Sequence, residues 1–170
     1  MSESKAAREH REHAPQRIYV AVITISDTKD ESSDESGRIL RSGIEAAGHE
    51  LVRYAIVRDE TPAILGSLED AIRAGADAVV TNGGTGVAPR DVTIEALEPL
   101  FEKRLDGFGD LFRHLSFETV GAAAMLSRAV AGTYRGAAVF CLPGSPDAVQ
   151  LAWRELIAPE LPHLVGLLRR

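Results

Sequence analysis

Apolar residues along this chain repeat with two different periods. RIYVAVITIS (17–26) is apolar on both alternating faces, the pattern of a strand covered on both sides. After the polar loop DTKDESSDES (27–36), GRILRSGIEAAG sets Ile39, Leu40, Ile44 and Ala47 on one helical face, with Gly48 as a stop signal. HELVRYAIV (49–57) reads as a second strand. TPAILGSLEDAIRAG then reads as a helix with the stripe Ile64, Leu65, Leu68 and Ile72, capped by Thr61, opened by Pro62 and ended by Gly75. ADAVVT (76–81) is a third strand. Three strands alternating with two helices form a βαβαβ unit, and right-handed crossovers make its sheet parallel with helices on the faces.

Further along, TIEALEPLF and GFGDLFRHLSFETV read as helices, the second carrying Phe108, Leu111, Phe112 and Leu115 at i, i+3, i+4 and i+7. SRAVAGTYRGAAVFCLPGS holds two short apolar runs around a glycine-containing turn, a hairpin whose second arm, about 136–142, is a core strand. A helix from about Asp147 and a last one ending near Leu168 close the chain. The pattern predicts one three-layer α/β/α domain over residues 17–170, with a mostly parallel central sheet and a small edge hairpin. Residues 1–16 are charged and aperiodic and read as a mobile tail, in which His10 and His13 are solvated rather than metal ligands.

Composition narrows the partners. Hydrophobic residues make up 45% and aromatics only 5%, so Val, Ile, Leu and Ala must fill the core. A net charge of -6 argues against a broad polyanion such as nucleic acid but leaves room for a small phosphorylated ligand in a local cradle. The single cysteine, Cys141, has no intrachain partner and reads as a buried small hydrophobe, in keeping with a reducing cytoplasm. No apolar segment is long enough to span a membrane, and the N-terminus lacks the apolar run of a signal peptide, so a cytoplasmic location is expected.

The polar signals fall at strand ends: TISDT after the first strand, RDE after the second, TNGGTG after the third and LPGSP after AAVFCL. If those strands are parallel, one crevice gathers Ser26, Asp27, Asp59, Gly83 to Gly86, Asp91 and Ser145, where open α/β sheets bind ligands. GGTG reads equally as a sharp strand-to-helix turn and as an anion-binding nest with Thr85 as a donor. It is neither a P-loop, for no Gly-Lys-Ser/Thr follows, nor a dinucleotide fingerprint, for Pro89 stands where a glycine is needed. Asp91 taken alone reads first as the cap of the following helix, and Asp59 as a loop residue before Thr61. Together beside a glycine cradle they suit Mg²⁺, which takes few carboxylates and bridges to substrate phosphates. Pro143 and Gly144 turn the chain, and Ser145 reads as a helix N-cap that can also donate to a phosphate. Ser116 reads as a helix serine bonded to its own backbone, and Arg90 and Arg113 as surface arginines.

TNGGTGVAPRDVT, MLSRAVAG and LPGSP together resemble the MoaB/Mog family of molybdenum-cofactor biosynthesis proteins, from about Tyr19 to about Leu161. GFGDLFRHLSFETVG followed by SRAVAG is most similar to the MoaB branch. The resemblance implies a three-layer α/β fold and transfer of AMP from ATP to the terminal phosphate of molybdopterin, with Mg²⁺ and release of pyrophosphate. A molybdopterin carrier without that chemistry is the alternative. It also implies that Asp59 and Asp91 are the catalytic and metal-binding acids. The implied substrate-binding residues are Ser26, Asp27, Gly83, Gly84, Thr85, Gly86, Ser116, Pro143, Gly144 and Ser145. The expected partners are other proteins of the same pathway and further copies of the chain in a homotrimer or hexamer.

Overall fold

The computed structural model describes residues 15–170, so His10, His13 and all but the last two residues of the expected tail lie outside the described residues. The elements are β1 (Tyr19–Ile25), α1 (Glu35–Ala46), β2 (Glu50–Val57), α2 (Thr61–Arg73), β3 (Ala78–Asn82), α3 (Thr93–Leu97), β4 (Lys103–Arg104), α4 (Asp106–Val120), β5 (Val130–Tyr134), β6 (Ala137–Leu142), α5 (Pro146–Ala152) and α6 (Ala158–Leu168). Single 3₁₀ segments follow α3 and α4, and a π-turn (Trp153–Ile157) joins α5 to α6.

They form one six-stranded sheet in the order β2-β1-β3-β6-β5-β4. The pairs β1–β2, β1–β3 and β3–β6 are parallel, whereas β5–β6 and β4–β5 are antiparallel. The mostly parallel sheet and the hairpin thus match the expectation. Arg135 (φ 47°) and Gly136 (φ 77°) turn the hairpin, the two consecutive positive φ values that a two-residue connection needs to follow strand twist. Two-residue β4, too short to leave a periodic signal, forms the edge.

Alternation along the strands splits the core in two. Val20, Val22, Ala78, Val80, Phe140 and Leu142 face α1, α5 and α6; Ala21, Ile23, Val79, Val139 and Cys141 face α2 and α3. Cys141 is fully buried, and burial pushes its thiol pKa up to about 12, so it packs as a hydrophobe.

Three local expectations need correction. Thr61 does not cap α2: it is the first helical residue, Glu60 occupies the N-cap position in extended conformation, and no side chain closes the end. Ile64 and Leu68 are 1% exposed, and at roughly 1.5–3 kcal/mol for each such burial, packing outweighs a missing cap worth about 1 kcal/mol. On α1, Ala47 lies beyond the last helical residue and is exposed, and the helix starts earlier than expected, capped by Asp34. On α4, Phe112 is buried but Leu111 is 55% exposed, so the stripe is only partly covered.

Candidate active site at the strand ends

The parallel register brings the ends of β1, β2, β3 and β6 to one edge. Ser26 N–H donates to Val57 O at 2.9 Å and Gly83 N–H to Leu142 O at 3.1 Å, locking neighbouring strand ends together. A Cβ placed on Gly144 would stand 3.1 Å from Gly83 Cα, so the PGSP loop lies directly against the glycine turn.

At the turn itself, Gly83 (φ 97°) and Gly84 (φ 63°) adopt backbone conformations that side chains disfavour. Thr93 holds the turn from behind: its N–H donates to Gly84 O at 3.0 Å and its hydroxyl to Gly83 O at 3.0 Å. Both candidate acids lean on this turn. A Cβ on Gly84 would stand 2.7 Å from Asp59 Oδ1, and one on Gly86 would stand 2.6 Å from Asp91 Oδ2. Glycine there is the condition for the carboxylates to approach.

Asp59 and Asp91 are held differently. Asp91 Oδ2 accepts the Ala88 N–H at 2.9 Å while Asp91 N–H donates to Ala88 O at 2.9 Å, a closed turn over 88–91. The expected helix cap is therefore corrected: Val92 occupies the N-cap of α3, and no side chain caps it. Asp59 Oδ1 is buried and has no hydrogen-bond partner among the described residues. Burial raises the Asp59 pKa, the Asp91 charge adds to the rise, and a hydrogen bond from the Val92 backbone opposes it.

Around them, Asp27 accepts the Asp59 N–H at 3.3 Å and forms an ion pair with Arg90, a surface arginine as expected. Ser26 Oγ accepts the N–H groups of Thr28 (3.3 Å) and Lys29 (3.2 Å), shaping its own loop. Thr85 is buried at 4% exposure, and Arg128 Nε donates to its carbonyl at 3.0 Å while Arg128 pairs with Glu95 at 2.5 Å. Arg128 lies within the SRAVAG motif, yet nothing in the local pattern announces that it anchors a loop 43 residues away.

Ser116, Pro143 and Ser145 belong to a second compartment. They line a cavity of about 510 Å³ with Phe112, Leu126 and Asp147, between α4 and α5. Ser145 Oγ accepts the Ala148 N–H at 3.4 Å as the N-cap of α5, ahead of Pro146. Ser116 is 8% exposed on the α4 face of this cavity. Neither candidate acid lines it; Gly144 against Gly83 is where the compartments adjoin.

Comparison with known proteins agrees with this architecture. The profile of the family described as "Probable molybdopterin binding domain" matches residues 21–163. Molybdenum cofactor biosynthesis protein B of Bacillus subtilis is 48% identical over 167 residues, covering 97% of this chain and 98% of the relative. A crystal structure of a molybdenum cofactor biosynthesis protein B superposes with a TM-score of 0.89 at 44% identity, covering 92% of this chain and 99% of the other. The tungsten cofactor synthesizing protein MoaB of Pyrococcus furiosus superposes with a TM-score of 0.85 at 42% identity, over 92% of this chain and 100% of that one. With its profile match, relatives and fold in agreement, the chain belongs to the MoaB/Mog family of molybdenum cofactor biosynthesis proteins, on the MoaB side of that family.

Proposed function

We propose that the protein transfers AMP from ATP to the terminal phosphate of molybdopterin, with Mg²⁺, releasing pyrophosphate. The observation that carries this reading is the pair of carboxylates, Asp59 and Asp91, set against one glycine turn, with a buried Asp59 oxygen that no protein donor satisfies among the described residues.

The donor set fits Mg²⁺. Among the described residues no group of three or more His, Cys, Asp or Glu could hold a metal, whereas Mg²⁺ needs only one or two carboxylates plus water and substrate phosphate oxygens. Asp59 and Asp91 would hold it, and the bound ion supplies charge neutralisation at the reacting phosphorus. The chain's own groups do the rest. Gly83 spends its N–H on Leu142 O, so the amides offered to phosphate oxygens are those that follow, on Gly84, Thr85 and Gly86. Thr85 acts through this backbone, since its side chain is buried. The Arg90–Asp27 pair flanks the same turn. A substrate phosphate is already ionised, so it can attack the α-phosphorus of ATP without a strong general base. The adjoining cavity, with apolar walls and the Ser116 and Ser145 hydroxyls, suits the pterin.

Incubation of the purified protein with molybdopterin, ATP and Mg²⁺ should yield adenylyl-molybdopterin and pyrophosphate. A folded protein that binds molybdopterin without forming either product would instead be a carrier. Self-association belongs to the same reading: Phe117, Val120, Met125 and Leu126 are 56–79% exposed along α4 and its 3₁₀ extension, an apolar surface suited to another copy of the chain. Light scattering that gives a monomer mass would remove the homotrimer or hexamer. A cytoplasmic location and other proteins of the pathway as partners belong to the same proposal; among the described residues no helix is long and apolar enough to cross a membrane.

A further inference from the structure

Beneath the crevice, one carboxylate is enclosed where the site-bearing strands end. The Asp34 side chain is 0% exposed. Its Oδ1 accepts the Gly37 N–H at 3.0 Å, and its Oδ2 accepts the Thr24 hydroxyl at 2.5 Å and the Tyr54 hydroxyl at 2.8 Å. Lys29 Nζ stands 4.0 Å from Oδ1. Thr24 lies two residues before Ser26. Asn82, immediately before Gly83, donates through Nδ2 to Thr24 Oγ1 at 2.9 Å. Ser36, two residues beyond Asp34, donates to Gly144 O at 2.8 Å. A single cluster therefore ties β1, β2, β3, the start of α1 and the PGSP loop.

The direction of these bonds follows from chemistry. An ionised carboxylate only accepts, so the Thr24 hydroxyl must donate to it. The Thr24 oxygen is then the acceptor for Asn82 Nδ2, which fixes the amide with Oδ1 on the other side. That Oδ1 is buried and has no protein partner among the described residues. An amide at position 34 could accept the Gly37 N–H through its oxygen, but its NH₂ could not accept from Thr24 or Tyr54. The Thr24 and Tyr54 bonds to position 34 would have to reverse, and the Thr24 proton that now goes to the carboxylate would lose its acceptor at the root of the glycine turn.

We propose that Asp34 is a positioning residue: through Thr24 and Asn82 it orients the glycine turn, and through the α1 end and Ser36 it holds the PGSP loop, keeping the two compartments in register. The activity arm of its test rests on the adenylyl-transfer reading; a structural arm does not.

The test compares Thr24→Val, which keeps the volume and removes the relay, and Asp34→Asn with Tyr134→Phe. The last loses a bond to Glu69 of 2.5 Å on the antiparallel side of the sheet. For each variant, melting temperature, kcat, KM for ATP, and the backbone amide NMR signals of Gly83, Gly84 and Gly144 are measured. Thr24→Val and Asp34→Asn should shift those amides and lower kcat by about ten- to a hundredfold, the scale of a misplacement on the order of an ångström. Tyr134→Phe should lower the melting temperature without either effect. If Thr24→Val lowers stability while kcat and the amides stay in place, Asp34 is a folding residue only and the proposal fails. If Asp34→Asn does not fold, Thr24→Val decides. If the wild type makes no product, adenylyl transfer fails by itself and the amide shifts alone decide the role of Asp34.

Discussion

Between Asp59 and Asp91 the crevice consists of backbone and two carboxylates, whereas around Ser116 it consists of the facing surfaces of two helices. The first compartment is compact: Gly83 to Gly86 and Asp91 share one loop, and Asp59 reaches it from the end of β2, with β1 between β2 and β3. The second is long-range, since Ser116 and Ser145 come from α4 and the start of α5, on opposite sides of the hairpin in sequence. A turn crowded by two like charges suits phosphate chemistry with a metal, and an apolar cavity with a few hydroxyls suits recognition of a ring. The two should respond to mutation in different kinetic constants.

The largest effect is expected at the acids. Asp59→Asn and Asp91→Asn should each lower kcat by about a hundredfold or more, the range for losing a group that organises transition-state charge. Neither should unfold the protein. In Asp91→Asn the amide oxygen remains available to the Ala88 N–H. At position 59 the sign follows from linkage. The Asp59 pKa is raised above its ordinary 3.8, so the folded state holds this proton more tightly than the unfolded state. The resulting stability is present below 3.8 and is lost as pH rises through the raised value. At neutral pH Asp59→Asn removes that loss, and without Mg²⁺ its melting temperature should equal or exceed the wild type. A large drop in melting temperature with kcat preserved would make these acids structural and erase the distinction between compartments.

A tenfold effect of another kind is expected in the cavity. Ser116→Phe should fill part of the 510 Å³ space and raise KM for molybdopterin by about tenfold, a loss of roughly 1.4 kcal/mol in binding, while KM for ATP stays near wild type. Steady-state kinetics with each substrate varied in turn reads this. Equal changes in both KM values would mean that the compartments are not separate subsites.

The contrast also explains what was legible in the sequence. Strand periodicity and loop chemistry are local, so β1, β2, β3 and β6, the GGTG turn and the Ser145 cap could be read directly, and parallel pairing followed from the crossover rule. Asp34 sits in a run of ten polar residues and gives no sign of being buried, because burial there comes from Thr24, Tyr54 and α1 folding over it. Arg128 is likewise silent, as its partner Thr85 lies on a different strand end. Thr61 and Asp91 read as caps but cap neither helix, because cap residue types are common in loops and the geometry of each helix start depends on how the preceding loop is held.

A smaller effect tests the border between compartments. Ser145→Ala removes the α5 N-cap and should cost about 1 kcal/mol of stability by denaturant unfolding. If Ser145 also touches substrate, KM for molybdopterin rises as well; a change in stability alone confines it to the cap.

The smallest effect is a titration with two opposite signs at the same sheet edge. Asp30, in the exposed loop between Ser26 and α1, has its pKa lowered to about 2, first by the Ser32 hydroxyl and then by the Ser33 hydroxyl and backbone. Its Oδ1 accepts Ser32 N–H at 3.0 Å, Ser32 Oγ at 2.6 Å, Ser33 N–H at 3.0 Å and Ser33 Oγ at 2.8 Å. The contribution of Asp30 to loop stability is therefore present above 3.8 and lost as pH falls toward 2, opposite in sign to that of Asp59. Carboxyl ¹³C NMR without Mg²⁺ should show Asp30 titrating near 2 and Asp59 above 3.8. Ser32→Ala should move Asp30 upward and leave Asp59 in place. An Asp59 midpoint at or below 3.8 would mean that its carboxylate finds donors in solution. It would then lose the unsatisfied oxygen on which the metal-binding reading rests, even with the glycine turn intact.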